Sequence, residues 1–309
     1  MRKLALRITA STYRGTLQGI PNLVEQLRQH NAGATFLFTL GPDHGGRSVR
    51  RLLRPGYLKQ ALRKRSLSHY GLATLLTGTL LPAPQIGRRA IAVLQGVRDS
   101  GFEVGMHGWD HWGWEERTAE ADAAWTERQM QLAADRYVEI FKTPPTVNGA
   151  ASWQMNAHAI RLTQRMNLRY ASDTRGTHPY IPVHNGEIVL CPQVPTTLPT
   201  TDELIGLNGV TEDNVAETLL GHTAEEPECG HVFTLRAERE GMKLAPVFEK
   251  LLTGWREQGY SIVAMQDIVD QFDRDTLPHH QVTRGTVPGR LGTLTVQGAE
   301  FLANWQTAA

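Results

Sequence analysis

The chain alternates short apolar runs with stretches whose hydrophobic residues recur every three or four positions. Residues 4–8 (LALRI) are apolar except for Arg7 and predict a strand, with Gly15 and Gly19 punctuating the way out. Pro21 suits the first turn of a helix whose apolar positions are Leu23, Val24 and Leu27, ending near Asn31 and Gly33. Residues 34–40 (ATFLFTL) predict a buried strand, stopped by Gly41, Pro42 and Asp43. The pattern then recurs. A helix through 90–97 precedes a strand at 102–106, and a long helix from about 119 to 141 ends before Pro144 and Pro145. A helix at 156–166 precedes a short strand at 168–171, while helices at 214–220 and 247–256 precede strands at 231–235 and 261–264. Strands separated by helices predict an α/β protein with a parallel sheet, open or closed into a barrel. One domain over all 309 residues is expected, with a Pro-, Gly- and Thr-rich tail after about residue 277 wrapping over the outside.

Residues 44–84 break this alternation and are expected to be an insertion. Positions 50–65 (RRLLRPGYLKQALRKR) are basic and helical in composition, whereas 67–84 (LSHYGLATLLTGTLLPAP) carry no formal charge. All 31 acidic residues lie outside positions 44–98, while eleven of the 32 basic residues fall inside. Eight of these basic residues, Arg47, Arg50, Arg51, Arg54, Lys59, Arg63, Lys64 and Arg65, belong to the insertion. Charge of one sign concentrated in one segment points to an anionic partner. The uncharged half has the minimum length of a membrane span but is too interrupted by Ser, Thr, Gly and Pro to be one. A basic helix beside a mildly apolar stretch has the composition of an element lying in the headgroup layer of an anionic membrane surface. A solvated basic face beside a packed lid is the plainer alternative. Nucleic acid is not expected, because Tyr57 and Tyr70 are the only aromatics there and provide no stacking platform. Cys191 and Cys229 stand far apart, which argues against a disulfide framework or a cysteine metal site and fits a reducing compartment. No secretory leader is expected, since Arg7 breaks the apolar stretch behind Arg2 and Lys3.

Candidate chemistry gathers at the predicted strand ends. In His107-Gly-Trp-Asp-His111, two imidazoles four residues apart follow a strand and could converge on one metal ion, although paired structural histidines are common. In parallel-strand barrels the reactive face lies at the C-terminal ends of the strands. Thr9 and Ser11 follow the first strand, and Arg236 follows the strand at 231–235, so the fold is expected to bring all five residues together.

Longer motifs carry a resemblance over nearly the whole chain: LRITASTYRGT at 6–16, LGPD at 40–43, HGWDH at 107–111, SDTRG at 172–176, LPTTDELIG at 198–206, AEREG at 237–241 and RGTVPGRLG at 284–292. With these the chain resembles the polysaccharide deacetylase superfamily, and within it the family that deformylates undecaprenyl-phosphate-linked 4-formamido-arabinose for lipid A modification and polymyxin resistance. The resemblance implies a distorted, incomplete β/α barrel, a divalent metal such as zinc, and a lipid-linked sugar phosphate as partner. It also implies a place in the bacterial cytoplasm, peripheral on the inner face of the cytoplasmic membrane.

The departures from the family pattern fall on its chemistry. Where the family has R-I-D-V-D-T, this chain has Thr9 at the position of the base and Ser11 at the position of a metal-binding carboxylate. Where the family has A-G-W-R-A-D, Gln154 and Asn156 replace both charges, and Arg236 stands for the histidine that protonates the leaving amine. His107 and His111 keep the metal-ligand identities, and Asp173 resembles the carboxylate that tunes the acid histidine. Losing a positioned acid or base costs about 10²–10⁴ in rate. A guanidinium about 6 Å from a divalent ion would repel it by about 5 kcal/mol at an effective dielectric near 20. The expectation is therefore a metal bound weakly or not at all and severely impaired turnover. Two alternatives stand beside it: a binding or regulatory homologue, and a hydrolase that uses Asp43, Asp110 or Asp173 as a substitute base.

The charge run generates a prediction. Binding to vesicles of acidic lipid should exceed binding to neutral vesicles and fall steeply between 0.1 M and 1 M salt, where the Debye length shrinks from about 10 Å to about 3 Å. A sedimentation assay with both vesicle types checks it.

Overall fold

The computed structural model describes residues 2–47, 77–79, 82–225 and 227–302. Its centre is strand β1 (Arg2–Ala10), buried throughout from Leu4 onward. Successive side chains on a strand point to opposite faces. Leu4, Leu6, Ile8 and Ala10 therefore enter the core beneath the helices, while Ala5 joins a second apolar cluster with Leu37, Val147 and Val232 inside the curl of the sheet. Arg7 and Thr9 share the inner face with Ala5.

On one side of β1 follow β2 (Thr35–Phe38), β3 (Glu103–Met106), β4 (Val147–Asn148) and β5 (Tyr170–Ala171), all parallel. The hairpin strands β6 (Ile181–His184) and β7 (Glu187–Ile188) belong elsewhere. On the other side of β1 lies β8 (His231–Arg236), and β9 (Tyr260–Val263) pairs with the first residues of β1. The order β5-β4-β3-β2-β1-β8 leaves a curled half-barrel, the incomplete β/α barrel that the family resemblance implies. Irregular chain at 192–198 spans its open side. Ala171 N–H donates to Pro192 O and Val194 N–H to Ala171 O, while Thr197 N–H donates to Val232 O on β8.

The helices pack outside the curl: α1 (Ile20–Gln29), α2 (Ile91–Asp99), α3 (His111–Arg117), α4 (Ala123–Phe141), α5 (Ala157–Arg165), α6 (Val215–His222) and α7 (Ala245–Glu257). Their starts show where side-chain chemistry overrides apolar periodicity. The helix expected from about 119 begins at Ala123, because Asp122 accepts from Trp125 N–H as an N-cap and residues 118–120 form a separate 3₁₀ turn. Gly15–Gly19 is a π-helical turn leading into α1. A Cβ on Gly19 would lie 2.0 Å from the backbone oxygen of Ala237, so only glycine allows the exit from β1 to pass the loop after β8.

The tail after residue 277 forms β10 (His279–Gly285) and β11 (Leu294–Glu300), which join β6 and β7 in a four-stranded sheet of order β11-β10-β6-β7. Most of the basic insertion, including Arg50, Arg51, Arg54, Lys59, Arg63, Lys64 and Arg65, lies outside the described residues. Among the described residues no helix is long and apolar enough to cross a membrane.

Two glycines test the packing in opposite directions. Gly96 is exposed within α2 with open space at its Cβ, so Gly96→Ala should raise stability by about 1 kcal/mol. Gly19→Ala should lower stability by more than that gain. The midpoint of urea unfolding checks both.

Candidate functional site

The inner-face alternation of the strands builds the site. Arg7 stands level with Thr35 and Thr234, and one layer above it Thr9 stands level with Leu37 and Arg236. Ser11 continues the same face past the end of β1, and His107 follows β3, its N–H donating to Phe38 O at 2.8 Å. These side chains line the mouth at the C-terminal strand ends, where the sequence placed them.

His107 is buried, and its Nδ1 lies 2.6 Å from Gly149 O, a contact that requires an Nδ1–H and leaves the lone pair on Nε2. Burial, with the positive charge of Arg7 adding to it, holds its pKa well below the ordinary imidazole value, so the ring is neutral. The His111 ring centroid is 5.1 Å from that of His107. His111 opens α3, whose N-cap is Asp110. Its Nδ1 lies 3.1 Å from Ser11 Oγ, and its Nε2 lies 3.7 Å from Glu115 Oε2, one helical turn further on. Thr9 Oγ1 donates to Leu235 O at 3.3 Å. Arg236 sends Nη1 to within 3.6 Å of Asp202 Oδ2, and its backbone N–H donates to Glu240 Oε2 at 2.7 Å.

Buried carboxylates hold this rim in place. Glu238 Oε1 accepts from Ser11 N–H (2.7 Å), Thr12 N–H (2.8 Å) and Thr12 Oγ1 (3.0 Å), tying the turn after β1 to the loop after β8. Burial raises its pKa against those hydrogen bonds. Arg7, buried below, donates through Nη2 to Ser172 O (3.2 Å) and Ala150 O (3.4 Å), with its guanidinium 5.4 Å from the ring centre of Trp153. Desolvation lowers its pKa to about 9, opposed by the field of Asp173. Arg175 and Arg290 approach the same indole at 5.0 Å, and Arg175 grips Glu203 through both carboxylate oxygens at 2.7 and 2.9 Å.

The structure assigns other work to several expected site residues. Asn156 is the N-cap of α5: its Oδ1 accepts from Ala159 N–H, and its Nδ2 donates to Thr118 O, Ala121 O and Thr126 Oγ1. Gln154 is half-buried, donating to Thr293 O and accepting from Arg284 Nη2. Asp173 is fully buried and accepts from Ala150 N–H (2.7 Å), Asn148 Nδ2 (2.8 Å) and Gln193 Nε2 (3.4 Å), so it fixes the floor beneath the mouth. Burial pushes its pKa up to about 6, with the Ala150 N–H as the leading opposing contact.

The three carboxylates considered as substitute bases are all engaged. Besides the contacts of Asp173, Asp43 accepts from Tyr13 N–H and Gly45 N–H at 2.8 Å each. Asp110 takes His44 Nδ1 at 2.8 Å and Gly113 N–H at 3.1 Å, with Arg47 at 3.5 Å. Burial would raise the Asp110 pKa, but the His44 hydrogen bond, the Gly113 N–H and the charges of His44 and Arg47 hold it below the usual value. Arg47, read from sequence as membrane- or substrate-facing, thus points one nitrogen back at the loop between the two histidines.

A divalent cation fits these residues poorly. Two imidazoles and two neutral hydroxyls supply no anionic ligand, Ser11 is bonded to His111, and a guanidinium stands across the mouth. Among the described residues, no three His, Cys, Asp or Glu side chains converge as a ligand set.

Sequence reasoning passed over Arg7, Glu115, Asp202 and Glu238. Two signals marked the first two. The two-residue period of β1 places Arg7 on one face with Thr9 and Ser11, and Glu115 follows His111 at the spacing of one helical turn. Asp202 and Glu238 lie in the LPTTDELIG and AEREG motifs but reach the mouth only through tertiary structure.

Known proteins resemble the chain in both sequence and fold. No family model matches it. A protein of Shewanella sediminis named "probable 4-deoxy-4-formamido-L-arabinose-phosphoundecaprenol deformylase" is 35% identical over 301 residues, 96% of this chain and 95% of that protein. A protein of the same name from Wigglesworthia glossinidia brevipalpis is 29% identical over 284 residues, 92% and 98% of the two chains. Among solved structures, a polysaccharide deacetylase-type protein of Mycobacterium smegmatis superposes with a TM-score of 0.61 at 14% identity, covering 93% of this chain and 96% of its own. A pseudoenzyme of carbohydrate esterase family 4 from Bacillus anthracis gives 0.51 at 13% identity, covering 91% and 69%. At these identities the structures establish the shared fold.

Asp173 generates a test of the floor. Its raised pKa means that folding favours the protonated carboxyl, a contribution fully present below the unfolded value of 3.8 and lost as pH rises through about 6. Over that interval the melting temperature of Asp173→Asn should therefore rise relative to the wild type, as differential scanning fluorimetry at stepped pH would show.

Proposed function

The chain belongs to the 4-deoxy-4-formamido-L-arabinose-phosphoundecaprenol deformylase family, within the polysaccharide deacetylase superfamily, and from that membership we propose that its mouth receives an N-acylated amino sugar carried on a polyprenyl phosphate without hydrolysing it by a metal-assisted route. The observation that carries this reading is the Ser11 hydroxyl bonded to His111 Nδ1, at the position where the family resemblance calls for a metal-binding carboxylate. Replacing a carboxylate ligand by a neutral hydroxyl removes the charge that holds a cation. Arg236 keeps its proton at neutral pH and is a poor general acid for a departing amine. What remains suits recognition: hydroxyl oxygens at Thr9 and Ser11 and Nε2 of His107 as acceptors, and a guanidinium at Arg236. Such a protein works at the inner face of the cytoplasmic membrane, where the basic insertion meets the phosphates of lipids and of the carrier.

Two measurements test the proposal. The purified chain should bind the undecaprenyl-phosphate-linked formamido sugar in detergent, read by tryptophan fluorescence, and should release no formate in an EDTA-sensitive manner. Thr9→Asp, Ser11→Asp and Arg236→His combined should create metal-dependent formate release, while each single change does little, because the three groups act as one unit. EDTA-sensitive deformylation by the unmodified chain would overturn the reading.

A further inference from the structure

The geometry points to a metal-free acyl-transfer relay at the mouth, with Ser11 as nucleophile, His111 as its base and Glu115 as the residue that orients the base. The inference rests on the reading of the mouth as a metal-free acyl-sugar site. It adds a reaction and the residues that would perform it.

The three side chains come from two elements that the fold locks together. Ser11 sits just past the end of β1, and its backbone N–H is fixed by Glu238 Oε1 at 2.7 Å. Its Oγ lies 3.1 Å from His111 Nδ1, hydrogen-bond reach for proton transfer. His111 and Glu115 are four residues apart on α3, hence on one face of the helix, and Glu115 Oε2 lies 3.7 Å from His111 Nε2. A carboxylate beside Nε2 favours the tautomer with its proton on Nε2. The lone pair is then on Nδ1, facing the serine, which is the state a base requires. The longer second contact is of the kind that tightens when substrate displaces water. The side chains of His111 and Glu115 are 12% and 18% exposed, so the relay borders the mouth while mostly shielded from solvent.

One further feature suits acyl transfer. Thr9 and Ser11 share the inner face of β1, and Arg236, in register with Thr9, carries a positive charge at the same rim, held within 3.6 Å of Asp202 Oδ2. Constellations of serine, histidine and carboxylate are recognised by geometry and role, and recur on unrelated folds in either order along the chain.

The step balances with water as the only co-reactant. Ser11 Oγ bonds to the acyl carbon of an ester or amide while its proton passes to His111 Nδ1. The tetrahedral adduct collapses, breaking the bond to the alcohol or amine, which leaves with the proton from His111. Water then attacks the acyl-serine with His111 as base, releasing the carboxylic acid and restoring Ser11. A small acyl group such as formyl or acetyl suits a mouth built on a frame that binds N-acyl sugars.

A serine-directed fluorophosphonate tests this without the lipid-linked sugar, so failure of the relay and failure of sugar binding are separate results. Its phosphorus bonds to the serine oxygen, fluoride leaves, and the proton goes to the base. With EDTA present, the full chain should gain one adduct, and peptide mapping should place it on Ser11. His111→Gln should slow labelling by about 10²-fold or more, the scale for losing a positioned base. Glu115→Gln should slow it by about tenfold, and Glu115→Asp should recover part of that loss while both variants melt at the wild-type temperature. Recovery of rate at constant stability separates an orienting role from a structural one. Absence of an adduct on Ser11 in the folded wild type, or an undiminished rate in Ser11→Ala, would overturn the inference.

Discussion

Arg7 lies on the inner face of β1 with almost no exposure, and a charge removed from water must be answered by dipoles and opposite charge nearby. The answers come from two loops of the chain: the carbonyl oxygen of Ala150 and the face of Trp153 in one, the carbonyl oxygen of Ser172 and the field of Asp173 in the other. Meeting this one requirement pulls the loops after β4 and β5 inward beneath the mouth. Asp173 is in turn held by Ala150 N–H and by the Asn148 and Gln193 side chains, so the floor of the site is a single buried polar network. Trp153 packs against Arg175 as well as Arg7, and Arg175 brings Glu203 with it. The site residues above stand on a platform gathered around one buried guanidinium.

Much of the fold was legible because parallel strands covered on both faces leave strong sequence signals. ATFLFTL could hardly be anything but a buried strand, and the helix positions followed from apolar periodicity. What escaped was local side-chain chemistry at the helix starts. Asp122 looks like an ordinary polar residue inside the helical stretch from about 119, yet it accepts a backbone N–H and sets where that helix begins. The tail was read as wrapping chain because its Pro, Gly and Thr content masks alternation. Pairing with β6 is a long-range event that no local pattern encodes.

The candidate site was legible in a similar way. Strand-end placement was enough to gather Thr9, Ser11, His107, His111 and Arg236, since a parallel curl brings its C-terminal ends together whatever residues occupy them. Family correspondence was less reliable for roles. Asn156 and Gln154 match motif positions, but their amides are used for helix capping and for holding the loop at Thr293. A position can outlast its function when the replacement finds a structural task. Glu238 illustrates the opposite failure, because two of its three contacts at the mouth are to backbone N–H groups, which leave no side-chain signature in sequence.

That carboxylate has a wider consequence. By accepting from Ser11 N–H and Thr12 N–H, the Glu238 carboxylate joins the exit of β1 to the loop after β8 without using the Ser11 side chain. The Cα positions of residues 9, 11 and 236 are thus set by contacts indifferent to their side chains. A lineage can exchange acids for hydroxyls and an imidazole for a guanidinium there while the frame stays registered to within a hydrogen bond. The mouth behaves as a socket, and successive chemistries can be fitted to it without the barrel being rebuilt each time.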